Sequence, residues 1–396
     1  MEAIDSDDSS VVDLSLDRNL EGNGDGSAAG NGEIKSIDYA NKMEESLDKL
    51  KMPITDGAVQ YEGCRVLEAL SERPESVQYF CDQGAIPILI KAMRARGRDP
   101  RFQASACAVV RNIGGDERIK EQVFKSNGIE NIVKSMLNFP DHEDIQENAC
   151  FCLQHFSQSG EAISRMLRTN CFELLCQCMS KYANNAELQT ASLELLCVMA
   201  TTDPAKKAAL LTRDIVNRAI QNCMDQAPEP LFAMSVVAID FMADMEECRR
   251  LLLVPQVLQV LLDAMENFHN IEIALHGASI FATLAIMEPS SHDLLMEVES
   301  YATIITMVTT YEDSKAIRTT CFSYLEAIFV DKNHCLTICN KGGLPFLIHG
   351  IEKKKKEKLV AYLEVLTTVF QHELSKKVIV NSGVLDKLFV ILSKNA

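Results

Sequence analysis

The sequence predicts an all-α solenoid, preceded by a disordered acidic tail. Three observations predict it. An apolar skeleton spaced i, i+3, i+4, i+7, one face of a helix, recurs from Ile86, Ile129, Phe172, Val216, Leu258, Tyr301, Leu344 and Leu385, at intervals of 43, 43, 44, 42, 43, 43 and 41 residues. A second apolar pattern keeps the same step: Cys64, Cys107 and Cys150 are each 43 apart, and Leu193 takes the next slot. With 47% apolar residues the 396-residue chain has ample core material. A period of this length marks a repeat array, in which one unit cannot bury its own apolar face and stacking makes a continuous core.

The elements follow in order. Residues 1–35 are rich in Asp, Ser, Gly and Asn, with almost nothing to bury, so they are expected to form a disordered acidic tail. The array is expected over 36–396. Its first part, 36–75, carries a weaker skeleton, Met43-Ser46-Leu47-Leu50, and is read as an atypical N-terminal cap. In each full unit a turn such as "CDQGAIP" or "KSNGIEN" leads from a short first helix into the skeleton helix. Gly or Asn suits a sharp reversal there. A loop such as "RARGRDPR" or "NFPDHED" then leads to a longer third helix, such as "IQENACFCLQHF". The last unit, 381–396, stops soon after Leu392 without a third helix, so it is an incomplete repeat and the expected end for self-association.

The starts "GAIPILIKAM" and "GGLPFLIHGI", with an apolar third helix holding a small residue early on, resemble the armadillo repeat. The resemblance covers roughly 36–396. It implies a right-handed superhelix of about nine units of ~43 residues whose third helices line a long groove that binds other proteins. In importin-alpha that groove carries a ladder of Trp and Asn. Here Asn112 matches a ladder position, but the corresponding residues are Ala69, His155, Val198, Phe241, Ala327 and Thr367, and the chain has no Trp. Binding of nuclear-localisation signals is therefore not expected.

Cys150, Cys152 and His155 fall close enough together to suggest a metal site. The repeat dissolves it. Cys152 is in register with Val66, Val109 and Leu195, and His155 with Ala69, Asn112 and Val198. Residues i and i+2 also point about 200° apart on a helix. Buried thiols are expected, with no metal and no cofactor.

The candidate groove residues are Arg111, Asn112, Gln154 and His155 in early units, then Glu194, Asp240, Glu326 and Glu364 in later ones. This drift toward acid favours a basic or amphipathic partner, an extended or helical protein segment. Two basic clusters lie between second and third helices: Arg94, Arg96 and Arg98, flanked by Lys91 and Arg101, and Lys353, Lys354, Lys355 and Lys356, followed by Lys358. Both are expected along one edge of the solenoid.

A net charge of −17 argues against nucleic acid as a partner. No apolar run is long enough to span a bilayer, and "MEAIDSDDSS" lacks the basic and apolar regions of a signal peptide. A cytoplasmic protein is expected, with nuclear entry open. No nucleotide, zinc-protease or nucleophile-elbow motif is present, so no enzymatic activity is expected. The expected function is a non-catalytic scaffold or adaptor. A small-GTPase regulator or a chaperone-like client holder is the alternative of the same kind, and an enzyme with an unrecognised site the alternative of another.

Overall fold

The computed structural model describes residues 29–343, except 54, 55, 74 and 213. Among them are 21 α-helices and no strand. Helices α1 (Ala29–Lys51) and α2 (Gly57–Ser71) form a two-helix cap. Six three-helix units follow. The short first helices are α3 (Ser76–Asp82), α6 (Glu117–Lys125), α9 (Gly160–Leu167), α12 (Pro204–Thr212), α15 (Glu246–Leu252) and α18 (His292–Glu297). The second helices are α4 (Ala85–Ala95), α7 (Gly128–Asn138), α10 (Cys171–Lys181), α13 (Ile215–Met224), α16 (Pro255–Asn267) and α19 (Ser300–Thr310). The third helices are α5 (Pro100–Ile113), α8 (Glu143–Phe156), α11 (Ala186–Thr202), α14 (Glu229–Met242), α17 (Ile271–Met287) and α20 (Lys315–Ile328). A seventh unit begins with α21 (Lys332–Ile338). Helix α1 opens at Ala29, so the last residues of the 1–35 leader are helical. The incomplete repeat expected at 381–396 lies outside the described residues.

The skeleton residues are the core. In α4, Ile86, Leu89, Ile90 and Met93 are all buried, and each such side chain contributes roughly 1.5–3 kcal/mol as an upper estimate. The third helices stack in one row, α2–α5–α8–α11–α14–α17–α20, each touching the next. One apolar cluster runs through this row from Tyr39 to Cys339.

Local chemistry sets the helix ends. Before third helices, Asp99, Asn185, Asn270 and Ser314 each accept a hydrogen bond from a first-turn backbone N–H. These are the residues whose short side chains satisfy the otherwise unpaired N–H groups. The turn from first to second helix passes through the left-handed region at Gly84, Asn127, Asp214 and Glu299. Gly277 in α17 allows a close approach to Met265 in α16, since a Cβ there would lie 2.6 Å from the Met265 sulfur.

The carbonyl ends of the second helices meet the third helices, and a repeated glutamine closes them. It is the fourth residue of α2, α5, α8 and α11: Gln60, Gln103, Gln146 and Gln189, all buried. Gln103 Nε2 donates to the carbonyls of Met93 (2.9 Å) and Arg96 (3.1 Å). Gln146 does the same for Met136 (2.9 Å) and Phe139 (2.8 Å), and Gln189 for Met179 (2.8 Å) and Tyr182 (3.0 Å). In α14 and α17 the fourth residue is Phe232 or Ala274. There the chain instead turns through a left-handed residue after the second helix, Gln226 (φ 52°) or His269 (φ 51°). This backbone turn returns the Ala227 N–H to the Asn222 carbonyl at 3.1 Å.

Candidate functional site

Arg111, near the end of α5, is the centre of the best-developed polar lattice on the third-helix row. Its guanidinium donates to Glu147 (2.9 Å) and Asn148 (3.0 Å) of α8, and to Glu187 of α11 (3.1 Å). It also lies over the Phe151 ring, 4.0 Å from the centroid. One side chain therefore ties three consecutive units, using the fork of donors that only arginine offers. Asn185 extends the lattice. Its Oδ1 caps α11, while its Nδ2 donates to Glu147 (2.8 Å) and Glu143 (2.9 Å). A depression of about 410 Å³ opens beside this lattice across α2, α5 and α8, with Tyr61, Arg65, Arg101, Asp144 and Glu147 on its walls. Arg101 stands over the Tyr61 ring, 5.0 Å from its centroid.

The other sequence-predicted residues are distributed along the same row. Asn112 donates to Ser71 Oγ at 2.8 Å and binds α5 to α2. His155 Nε2 is 2.9 Å from the Arg111 carbonyl oxygen. Gln154 donates to Glu194. Asp240 sits 2.8 Å from His276 Nδ1 in α17, and neither side chain is more than 17% exposed, so this carboxylate is occupied within the fold. Glu326 is half-buried in α20. Glu364 and Lys353, Lys354, Lys355 and Lys356 lie outside the described residues. Arg94, Arg96 and Arg98 sit at the α4–α5 connection, away from the Arg111 lattice. Sequence reasoning missed Glu147, Asn148, Asn185 and Glu187. The only signal for them was their polarity at the starts of otherwise apolar third helices.

The thiols take no part in this surface. Cys150 and Cys152 are fully buried; Cys152 Sγ donates to the Cys107 carbonyl at 3.1 Å, and Cys150 Sγ is 3.5 Å from Ser192 Oγ. Burial pushes Cys107, Cys197 and Cys223 up to about 12, so they are neutral thiols at neutral pH. Contact with Cys150, and then burial, raises Cys178 as well. Among the described residues no group of three or more His, Cys, Asp or Glu side chains is placed to hold a metal ion. No single described helix is long and apolar enough to cross a membrane.

Three helices per unit, a recurring step of 43 residues and a continuous row of third helices define an all-α solenoid of armadillo-like repeats. A family described as "Protein zer-1 homolog-like, C-terminal domain" matches residues 91–241, the stretch from α4 to α14 that contains the whole Arg111 lattice. A solved structure titled "Designed armadillo repeat protein YIII(Dq)4CqI" is similar over 61% of this chain and 98% of its own, at 16% identity and a TM-score of 0.48. No curated protein sequence matches the chain.

Proposed function

We propose that this protein is a non-catalytic scaffold or adaptor that captures a segment of a partner protein along the third-helix row, over α2, α5, α8 and α11. The Arg111 lattice carries this reading. It fixes one polar face across three units before any partner arrives, so little side-chain freedom has to be lost on binding. The face is mixed in charge, with Arg65 and Arg101 at one end and Asp144 and Glu187 at the other. That polarity suits an extended segment whose basic residue lies over α8 and α11, and it sets the segment's direction. The neutral, buried thiols support a binding role over a nucleophilic one.

The test is affinity capture from cytosol with wild-type protein and with Asp144→Lys/Glu187→Lys, matched for helicity. Loss of one partner set from the variant supports the assignment. An unchanged partner set, or turnover that depends on Arg111 in a substrate screen, sinks it.

A further inference from the structure

A second, separate surface lies on the edge of the array where α4 turns into α5. Arg94, Arg98 and Lys134 line a depression of about 790 Å³ there, with Asn138 of α7 on its far wall. All three cations are exposed, and among the described residues no carboxylate pairs with any of them; Arg94 donates only to the Ser126 carbonyl. Several other cations of the array do have carboxylate partners: Lys49 has Glu45 and Glu62, Lys125 has Glu121, Arg165 has Glu161, and Lys181 has Asp141. The one acid in the depression, Asp99, is committed to capping α5, accepting from Arg101 N (3.1 Å) and Phe102 N (3.3 Å).

The fold does not require these charges. Cations can stabilise a helix C-terminus, but α7, α13, α16 and α19 end in equivalent places with no basic residue in the last turn. Lys134 is also well inside α7, and Arg98 is in the connection itself. The connection is held in shape before any ligand binds. The Arg96 carbonyl accepts from Gln103 Nε2 (3.1 Å) and from Asp99 N (2.9 Å), and the Gly97 carbonyl accepts from Asn138 Nδ2 (3.0 Å). A rigid loop presenting unneutralised arginine beside a lysine of the next unit is suited to a compact, doubly charged anion that takes forked donors.

We propose that this edge depression binds a phosphorylated serine or threonine in a partner peptide, with Arg94, Arg98 and Lys134 around the phosphate. A compact anion is favoured over a polyanion. A chain of net charge −17 repels an extended nucleic acid or an anionic bilayer, whereas a single phosphate feels mainly charges within about 8 Å, the screening length at physiological salt.

The test measures fluorescence anisotropy of a labelled Gly/Glu peptide carrying one phosphoserine, titrated with the full chain. The phosphopeptide is expected to bind at least about tenfold tighter than its serine counterpart. Arg98→Glu/Lys134→Glu should remove that preference, and Arg98→Lys/Lys134→Arg should keep most of it. Both variants alter exposed side chains without carboxylate partners, so an unchanged melting temperature is expected and is measured alongside. Glu187→Lys, on the third-helix row, should leave phosphopeptide affinity unchanged, which separates this site from the proposed groove. Equal affinity for the two peptides overturns the proposal. So does tighter binding of phosphatidylserine vesicles or duplex DNA that is lost in the same charge-reversed variant.

Discussion

The first and second halves of the array solve one problem in two ways. Every second helix ends with carbonyls directed at the following third helix, and those groups must be satisfied. In α2, α5, α8 and α11 a buried glutamine side chain does it. In the unit of α14 the backbone does it: Gln226 takes the left-handed region and the Ala227 N–H reaches the Asn222 carbonyl, and the unit of α17 likewise turns through a left-handed residue, His269. The third-helix row shows a matching inversion. Arg111 faces Glu147 in the early units; three units on, the equivalent slot pairs Asp240 with His276, so acid and base have exchanged sides. The stacking geometry fixes which positions meet, and the sequence decides what chemistry meets there.

This comparison can be broken experimentally. The largest effect should strike both halves alike. Cys107 and Cys197 in the first half, and Cys248 and Cys321 in the second, are all pushed up by burial to about 12 from an ordinary value near 9. A thiol with a raised folded pKa contributes its full stability below pH 9 and loses it as pH climbs toward 12. The melting temperature should therefore be level to about pH 8.5 and then fall steeply, with hydrogen exchange accelerating in both halves together. Next, Phe232→Ala should cost about 3–5 kcal/mol and Gln146→Leu about 3 kcal/mol, read from denaturant midpoints. Hydrogen exchange should place the first loss around α13–α14 and the second around α7–α8, because coupling in a repeat array is mainly between neighbours. If Gln146→Leu is neutral, the glutamines are not closing the helices.

Smaller effects sharpen the contrast. Arg111→Ala should cost about 1–2 kcal/mol; Glu187 is 62% exposed, so that arm of the lattice is discounted for screening. His269→Gly should stabilise by roughly 1 kcal/mol, since glycine occupies the left-handed region without strain. The equivalent Phe139→Gly change should not, because Phe139 has φ −133° and its unit is closed by Gln146. A stabilising Phe139→Gly would erase the distinction between the two kinds of closure.

Much of the fold was legible because apolar residues signal burial directly. The skeletons from Ile86 to Tyr301 all became second helices. Gln60, Gln103, Gln146 and Gln189 repeat at the same step of 43, yet a polar residue in an amphipathic pattern reads as solvent-facing. Only the carbonyls opposite reveal it as core. The Arg111 lattice was half legible. Arg111 itself stands out on an apolar helix, but its partners lie 36 and 76 residues away, and which of them meet depends on how consecutive units are rotated against each other. Asp240 read as part of an acidic wall for the same reason, since nothing in its own helix announces His276.

The glutamine closure also bears on how such a chain changes length. Each closing bond is made inside its own unit: Gln103 reaches back to Met93 and Arg96, and Gln146 to Met136 and Phe139. Excising residues 104–146 would join Gln103 directly to Glu147 and leave every remaining closure in phase. A cut of a fraction of a period that ends between a glutamine and the carbonyls seven and ten residues before it would strand that glutamine. Loss of whole periods therefore keeps the closures wherever the cut falls, whereas loss of a fraction of a period keeps them only when both ends fall outside these short segments.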